Sequence, residues 1–183
     1  NAAARCWWML RAFGLEKVQV LSGGFQGAVK SGISTNSGEE IFEKTSFILR
    51  ENWSLPTSTL ENVEQEIAEN SATVIDVRDA YRYRGESEPI DLVAGHIPGA
   101  INIPFSENLD ENGEFLSPEI LKEKYQILLL DKPEKLIIHC GSGVTACHTI
   151  LALDYAGFPI PNLYVGSWSE WSRREGKEIA REV

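Results

Sequence analysis

Cysteine is scarce: Cys6, Cys140 and Cys147 are the only three in 183 residues. An odd number without paired spacing excludes a disulfide framework and leaves free thiols in a reducing compartment, so the expected location is the cytoplasm. Long apolar runs are missing, none approaching the roughly 20 residues that span a bilayer, and no secretory signal opens the chain. Basic residues are outnumbered, 17 Lys and Arg against 27 Asp and Glu, for a net charge of −10. That balance excludes a general nucleic-acid binder, which needs a basic face for phosphate. What is present is ordinary for a globular protein: 43% hydrophobic and 24% charged residues, enough for one full domain and part of a second.

The two ends of the chain resemble each other. A shift of 143 places Ala3 on Ala146, Leu10 on Leu153, Gly14 on Gly157 and Gly23 on Gly166. Apolar character is kept at Trp8/Leu151, Val20/Leu163, Leu21/Tyr164 and Phe25/Trp168. Each copy reads as an apolar helix stopped by Gly, a short buried strand, and a Gly-containing turn into a second helical stretch. Residues 1–32 are then expected to be the C-terminal remnant of a first unit. The strand and loop corresponding to the region before Cys140 would precede Asn1.

Residues 33–57 carry Ser, Thr, Asn and Gly with a little apolar content (Ile41-Phe42, Phe47-Ile48-Leu49) and read as an extended surface linker. Residues 58–175 read as a complete α/β unit, followed by a tail, 176–183. A helix is expected over Ser58–Asn70, then strands at 73–76, 100–103, 136–139 and 163–165. Ser117-Pro118-Glu119 opens a helix with an N-cap Ser and Pro at its first position, and Val144–Ala156 forms another. Strands alternating with helices imply a mainly parallel sheet with helices on both faces.

One loop carries chemistry: Cys140-Gly141-Ser142-Gly143-Val144-Thr145, between a buried strand and an apolar helix. Open α/β sheets place ligands at the carboxyl ends of their strands. Two glycines let successive N–H groups turn inward as an anion nest, and the helix adds its positive end. Both favour a thiolate at Cys140, the nucleophilic form of the side chain. Cys6 and Cys147 sit within apolar helices and read as inert core residues.

A phosphatase loop would end on Arg six positions after its Cys, to grip phosphate bidentately; Ala146 stands there, so that chemistry is excluded. Cys140, Cys147 and His148 do not have a zinc spacing, and no metal or cofactor is expected. His148 reads as a satisfied helix residue, His96 as a turn residue and His139 as structural.

With these residues in view, the chain resembles the rhodanese-type sulfurtransferases, in their tandem 3-mercaptopyruvate/thiosulfate branch. Three stretches carry the likeness over about 56–175: Val74-Ile-Asp-Val-Arg78, Gly95-His-Ile-Pro-Gly-Ala-Ile-Asn-Ile-Pro104, and the Cys140 loop with Gly166-Ser-Trp-Ser-Glu-Trp171 downstream. Residues 3–25 resemble the end of the inactive first domain of tandem members. The resemblance implies a rhodanese-like fold and a persulfide relay. Cys140 takes a sulfane sulfur from a small donor and passes it to a thiophilic acceptor such as cyanide, a thiol or a protein cysteine.

It further implies that the donor is held by arginine, which matches Arg82, with Arg84 as a second candidate. Asp76 and Arg78 are expected to order a strand end, and Trp168 and Trp171 to pack. Gly141 and Ser142, in place of basic residues, tilt the expected preference towards 3-mercaptopyruvate over thiosulfate. Another arginine usual in that group is replaced by Ile90, after Glu88-Pro89. The missing part of the first unit is the expected partner in the same chain. A rival class is a non-catalytic rhodanese-like interaction module or a protein sulfur-carrier relay.

Overall fold

The computed structural model describes residues 1–48, 52–130 and 132–182. Its strands are β1 (Thr57–Ser58), β2 (Thr73–Asp76), β3 (Ile101–Asn102), β4 (Leu136–His139) and β5 (Asn162–Tyr164). They stand in the order β1-β5-β4-β2-β3, and every pairing is parallel. The helices are α1 (Ala2–Ala12), α2 (Gly24–Lys30), α3 (Leu60–Ala68), α4 (Ala80–Arg84), α5 (Pro118–Leu128), α6 (Val144–Tyr155) and α7 (Ser167–Trp171). This is the mainly parallel α/β arrangement, with helices on both faces, expected from the sequence.

Both faces of the sheet are covered because its strands are apolar on both. Ile75, Ile138 and Leu163 pack with Trp8, Leu121, Tyr125, Ile150 and Leu153 on one face. Their strand neighbours Val74, Ile137 and Tyr164 pack with Leu60, Val63, Trp168 and Trp171 on the other. Successive side chains point to opposite faces, and each such burial contributes about 1.5–3 kcal/mol.

Local signals set the element ends. Ser117 caps α5 by accepting the N–H of Ile120, with Pro118 in the first turn. Helix α3 begins two residues later than expected, since Ser58 is in β1 beside Tyr164 and Thr59 forms a capping box with Asn62. It stops before Asn70, which takes φ 50°. The boundary expected between linker and domain, at 57/58, therefore falls inside β1. The connector before it is largely exposed; Leu49, expected to close its apolar run, lies outside the described residues.

Helix α1 packs along α6, and its Ala4, Trp7, Trp8 and Ala12 enter the same core as β4 and α6. Arg11 pairs with Asp154 at 3.1 Å. These positions differ by 143, the shift at which the sequence of one chain end was compared with the other. The short strand expected in the first copy, around Val20 and Leu21, is not formed, because no described strand lies alongside it to supply a ladder. Cys6, expected in the core, is exposed on α1.

The final segment is tied down. His96 and Ala180 exchange backbone hydrogen bonds of 2.9 and 3.0 Å. Gly95, at φ 129°, lies so close beneath that a Cβ there would meet the Ala180 carbonyl at 2.5 Å.

Candidate active site

Strand β4 ends at His139, and Cys140 follows it, 1% exposed, at the carboxyl edge of the sheet. The loop turns through Gly143, whose φ of 75° suits glycine and whose Cβ would meet the Val165 carbonyl at 2.9 Å. Helix α6 starts at the next residue. Among the described residues the amide N–H groups from Gly141 to Ala146 have no hydrogen-bond acceptor. A left-handed residue leading into a helix, with its first-turn N–H groups free, is an anion nest. The hydroxyls of Ser142 and Thr145 also have no partner among the described residues, and Ser142 is exposed.

The other wall of the loop is α7. The Trp168 N–H donates to the Cys140 carbonyl and the Ser169 N–H to that of Gly141, both at 2.9 Å. The Cys140 N–H donates to Ser167 Oγ at 3.3 Å, and that hydroxyl donates onward to the Tyr164 carbonyl at 2.8 Å. Ser167 is fully buried at φ 55°, a strained setting for a residue with a Cβ, of a kind that gathers at functional sites. It had no local signal in the sequence.

Behind the loop stands a buried charge chain. Arg78 is bidentate to Asp76, reaches Glu88 at 3.1 Å, donates to the Gly95 carbonyl at 2.7 Å and stacks on Trp168. It orders the strand end, as expected of Asp76 and Arg78. Glu88 passes the chain on to Arg82, whose Nε donates to both its oxygens at 3.0 Å. Burial alone pushes the Glu88 carboxyl up, but the Arg82 hydrogen bond and the amides of Asp91 and Ile90 outweigh it, so it titrates below its ordinary 4.5. A carboxylate with a lowered folded value stabilises the protein above its unfolded value, and that contribution fades as pH falls through the folded one. The stability gap between wild type and Glu88→Gln should therefore be widest near neutrality and narrow below about pH 4.5, measured by urea unfolding along a pH series.

Arg82 is brought to the loop: its Nη2 would lie 3.5 Å from a Cβ on Gly141, and so would Asp91 Oδ2. The two atoms are 3.5 Å apart. Arg84 is not brought there. It is exposed, paired with Glu86, and its carbonyl accepts the Glu182 N–H. Ile90 is 73% exposed.

The remaining candidates take other parts. Cys147 is buried, donates to the Gly143 carbonyl and lies 3.6 Å from Arg5; burial pushes its thiol up to about 11, against the pull of Arg5. Burial also lowers His139, beside Asp76. His148 sits between Phe105 and Phe115, and its Nδ1 has no partner among the described residues, so it is not the satisfied helix residue expected; burial lowers it to about 4. Among the described residues no trio of His, Cys, Asp or Glu side chains gathers as a metal site, and no helix is long and apolar enough to cross a membrane. Sequence reasoning missed Ser167, Asp91 and the bridging role of Glu88.

Residues 59–174 match the rhodanese-like domain family. The chain is 42% identical over 180 residues to a probable 3-mercaptopyruvate sulfurtransferase of Pseudomonas aeruginosa, covering 97% of this chain and 63% of that protein. It is 40% identical over 179 residues to thiosulfate sulfurtransferase of Rattus norvegicus, covering 96% of this chain and 60% of that one. It thus spans about three fifths of the length of these relatives. Among solved structures, the Tum1 protein of Saccharomyces cerevisiae superposes with a TM-score of 0.81 at 26% identity, over 99% of this chain and 66% of that one. An EanB variant bound to ergothioneine superposes at 0.86 with 19% identity, over 98% of this chain and 45% of that one, a likeness of fold.

Proposed function

The chain belongs to the rhodanese-like domain family, and from that premise we propose that it is a sulfurtransferase working through a persulfide on Cys140. The observation that carries the reading is Cys140 at the strand end, followed by six free N–H groups that can hold a sulfur anion. The Cys140 thiolate attacks the outer sulfur of the donor. With 3-mercaptopyruvate the carbon–sulfur bond breaks, its electron pair takes the thiol proton to carbon, and pyruvate leaves. With thiosulfate the sulfur–sulfur bond breaks and sulfite leaves with the pair. Either route yields Cys140–S–S⁻, from which cyanide, a thiol or a protein cysteine takes the outer sulfur.

Carboxylate-bearing 3-mercaptopyruvate is the preferred donor in this reading. Ser142 and Thr145 offer hydroxyls rather than charge, and Arg82 is the guanidinium beside Gly141. The names of relatives in both donor groups support the class of reaction. The three thiols are free, which suits a reducing compartment such as the cytoplasm.

Intact mass spectrometry tests the proposal. Incubation with either donor should add about 32 Da, one persulfide sulfur, and cyanide should remove it as thiocyanate. Arg82→Ala should raise KM for 3-mercaptopyruvate on the order of tenfold, the value of a charge-assisted hydrogen bond, and raise that for thiosulfate less. Absence of the adduct with both donors would support the rival reading of an interaction module.

A further inference from the structure

Beside the catalytic loop, Arg82 Nη2 and Asp91 Oδ2 are buried polar atoms without a hydrogen bond among the described residues. Arg82 Nη2 is nonetheless ion-paired, 2.7 Å from Glu88 Oε1 and 3.5 Å from Asp91 Oδ2. The Asp91 side chain is only 2% exposed and that of Arg82 9%. Both atoms face Gly141, the residue after the nucleophile, at 3.5 Å from its Cβ position. The other Asp91 oxygen is committed: it accepts from Ser169 Oγ at 2.6 Å and lies 3.6 Å from Arg173.

The charges there do not cancel among the buried groups. Asp76, Glu88 and Asp91 are three carboxylates, and Arg78 and Arg82 two guanidiniums. His139 is held towards its neutral form. Asp76 and Glu88 are saturated with donors, so the surplus negative charge resides on Asp91. It has only a share of Arg82, 3.5 Å away and closer to Glu88, and its other counter-ion, Arg173, is more than half exposed and screened by water. The carboxylate stands beside Gly141, the residue that follows Cys140.

We propose that Asp91 is a donor-selecting residue, its unpartnered oxygen at the loop discriminating between sulfur donors by their negative charge. This rests on the sulfurtransferase reading and adds its selectivity. Thiosulfate carries two negative charges and 3-mercaptopyruvate one, so the repulsion from Asp91 is about twice as large for thiosulfate. Asp91 also competes for Arg82, so the guanidinium serves a donor that offers a carboxylate in the same place and does not serve a bulkier dianion as well. Arg173 tempers the carboxylate from outside.

The test is the ratio of kcat/KM for 3-mercaptopyruvate to that for thiosulfate, in wild type, Asp91→Asn, Asp91→Glu and Arg173→Gln. Asp91→Asn keeps the shape and an acceptor for Ser169 while removing the charge; the ratio should move towards thiosulfate on the order of tenfold, mainly through KM. Asp91→Glu restores the charge and should hold the ratio near wild type. Arg173→Gln, at the surface, should move it towards 3-mercaptopyruvate and keeps the question open to measurement if Asp91→Asn does not fold. A persulfide formed by all variants with a ratio unmoved within twofold, or moved in the opposite senses, overturns the role of Asp91 alone. No persulfide from either donor in the wild type overturns this role together with the sulfurtransferase reading.

Discussion

Cys140→Ser is expected to lose persulfide formation and turnover by at least about three orders of magnitude, the scale on which removal of a covalent nucleophile acts. Cys147→Ser and Cys6→Ser should keep most of both. The contrast follows from place. Cys140 is set between a strand end and free amides, whereas the thiol of Cys147 is spent as a donor to the Gly143 carbonyl and is pushed up to about 11 by burial. A serine hydroxyl at 147 can make the same hydrogen bond. Cys6 lies exposed on α1, outside the loop. The adduct of about 32 Da and thiocyanate release, read on each variant, decide the matter. Comparable loss at Cys147 would mean that two thiols share the reaction.

The second large effect belongs to stability. Arg78→Met should destabilise the protein by about 3–5 kcal/mol, because removing one member of a buried ion network strands the others without water. Asp76, fully buried, would keep only the backbone N–H of residue 78 as donor; Glu88 and the Gly95 carbonyl would each lose a partner. The expected fall in Tm is on the order of 10 °C for a chain of this size. Arg84→Ala, which breaks an exposed, water-screened pair with Glu86, should leave Tm essentially unchanged. Equal shifts for the two variants would show that burial does not set the worth of these pairs.

The unequal weight of neighbouring arginines shows what the sequence conveyed. Strands such as Thr73–Asp76 and Leu136–His139 were readable to the residue, because buried parallel strands are runs of β-branched and aliphatic side chains bounded by breakers. Helix α5 announced itself through Ser117 and Pro118. The Cys140 loop was legible for the same reason: its glycines and its position between a strand and a helix are local facts.

Partnerships between distant residues were not. Asp91 meets Ser169 across 78 positions and Trp168 meets Val93 across 75; neither leaves a periodic trace. Ser167 looks like any serine until its φ and its two hydrogen bonds are seen together. Cys6 was misplaced because an apolar helix still has an outer face, and one helical sequence does not say how wide its buried stripe is. The strand expected around Val20 and Leu21 failed for a related reason: apolar residues make a strand only where another strand is at hand.

The clasp between Ala180 and His96 bears on where this protein can be cut. The match to the family stops at residue 174, but the backbone ladder that seats Gly95 comes from the segment after it. Gly95 presents its carbonyl to Arg78, so the last turns of chain act as a splint on the ion chain that leads to the catalytic loop. A cut between Glu175 and Ala180 would remove that splint while leaving Cys140, Arg82 and Asp91 in place. The ion chain would then loosen through a cut about 90 positions from Asp91 in sequence, and a boundary drawn at the family match would loosen it in the same way.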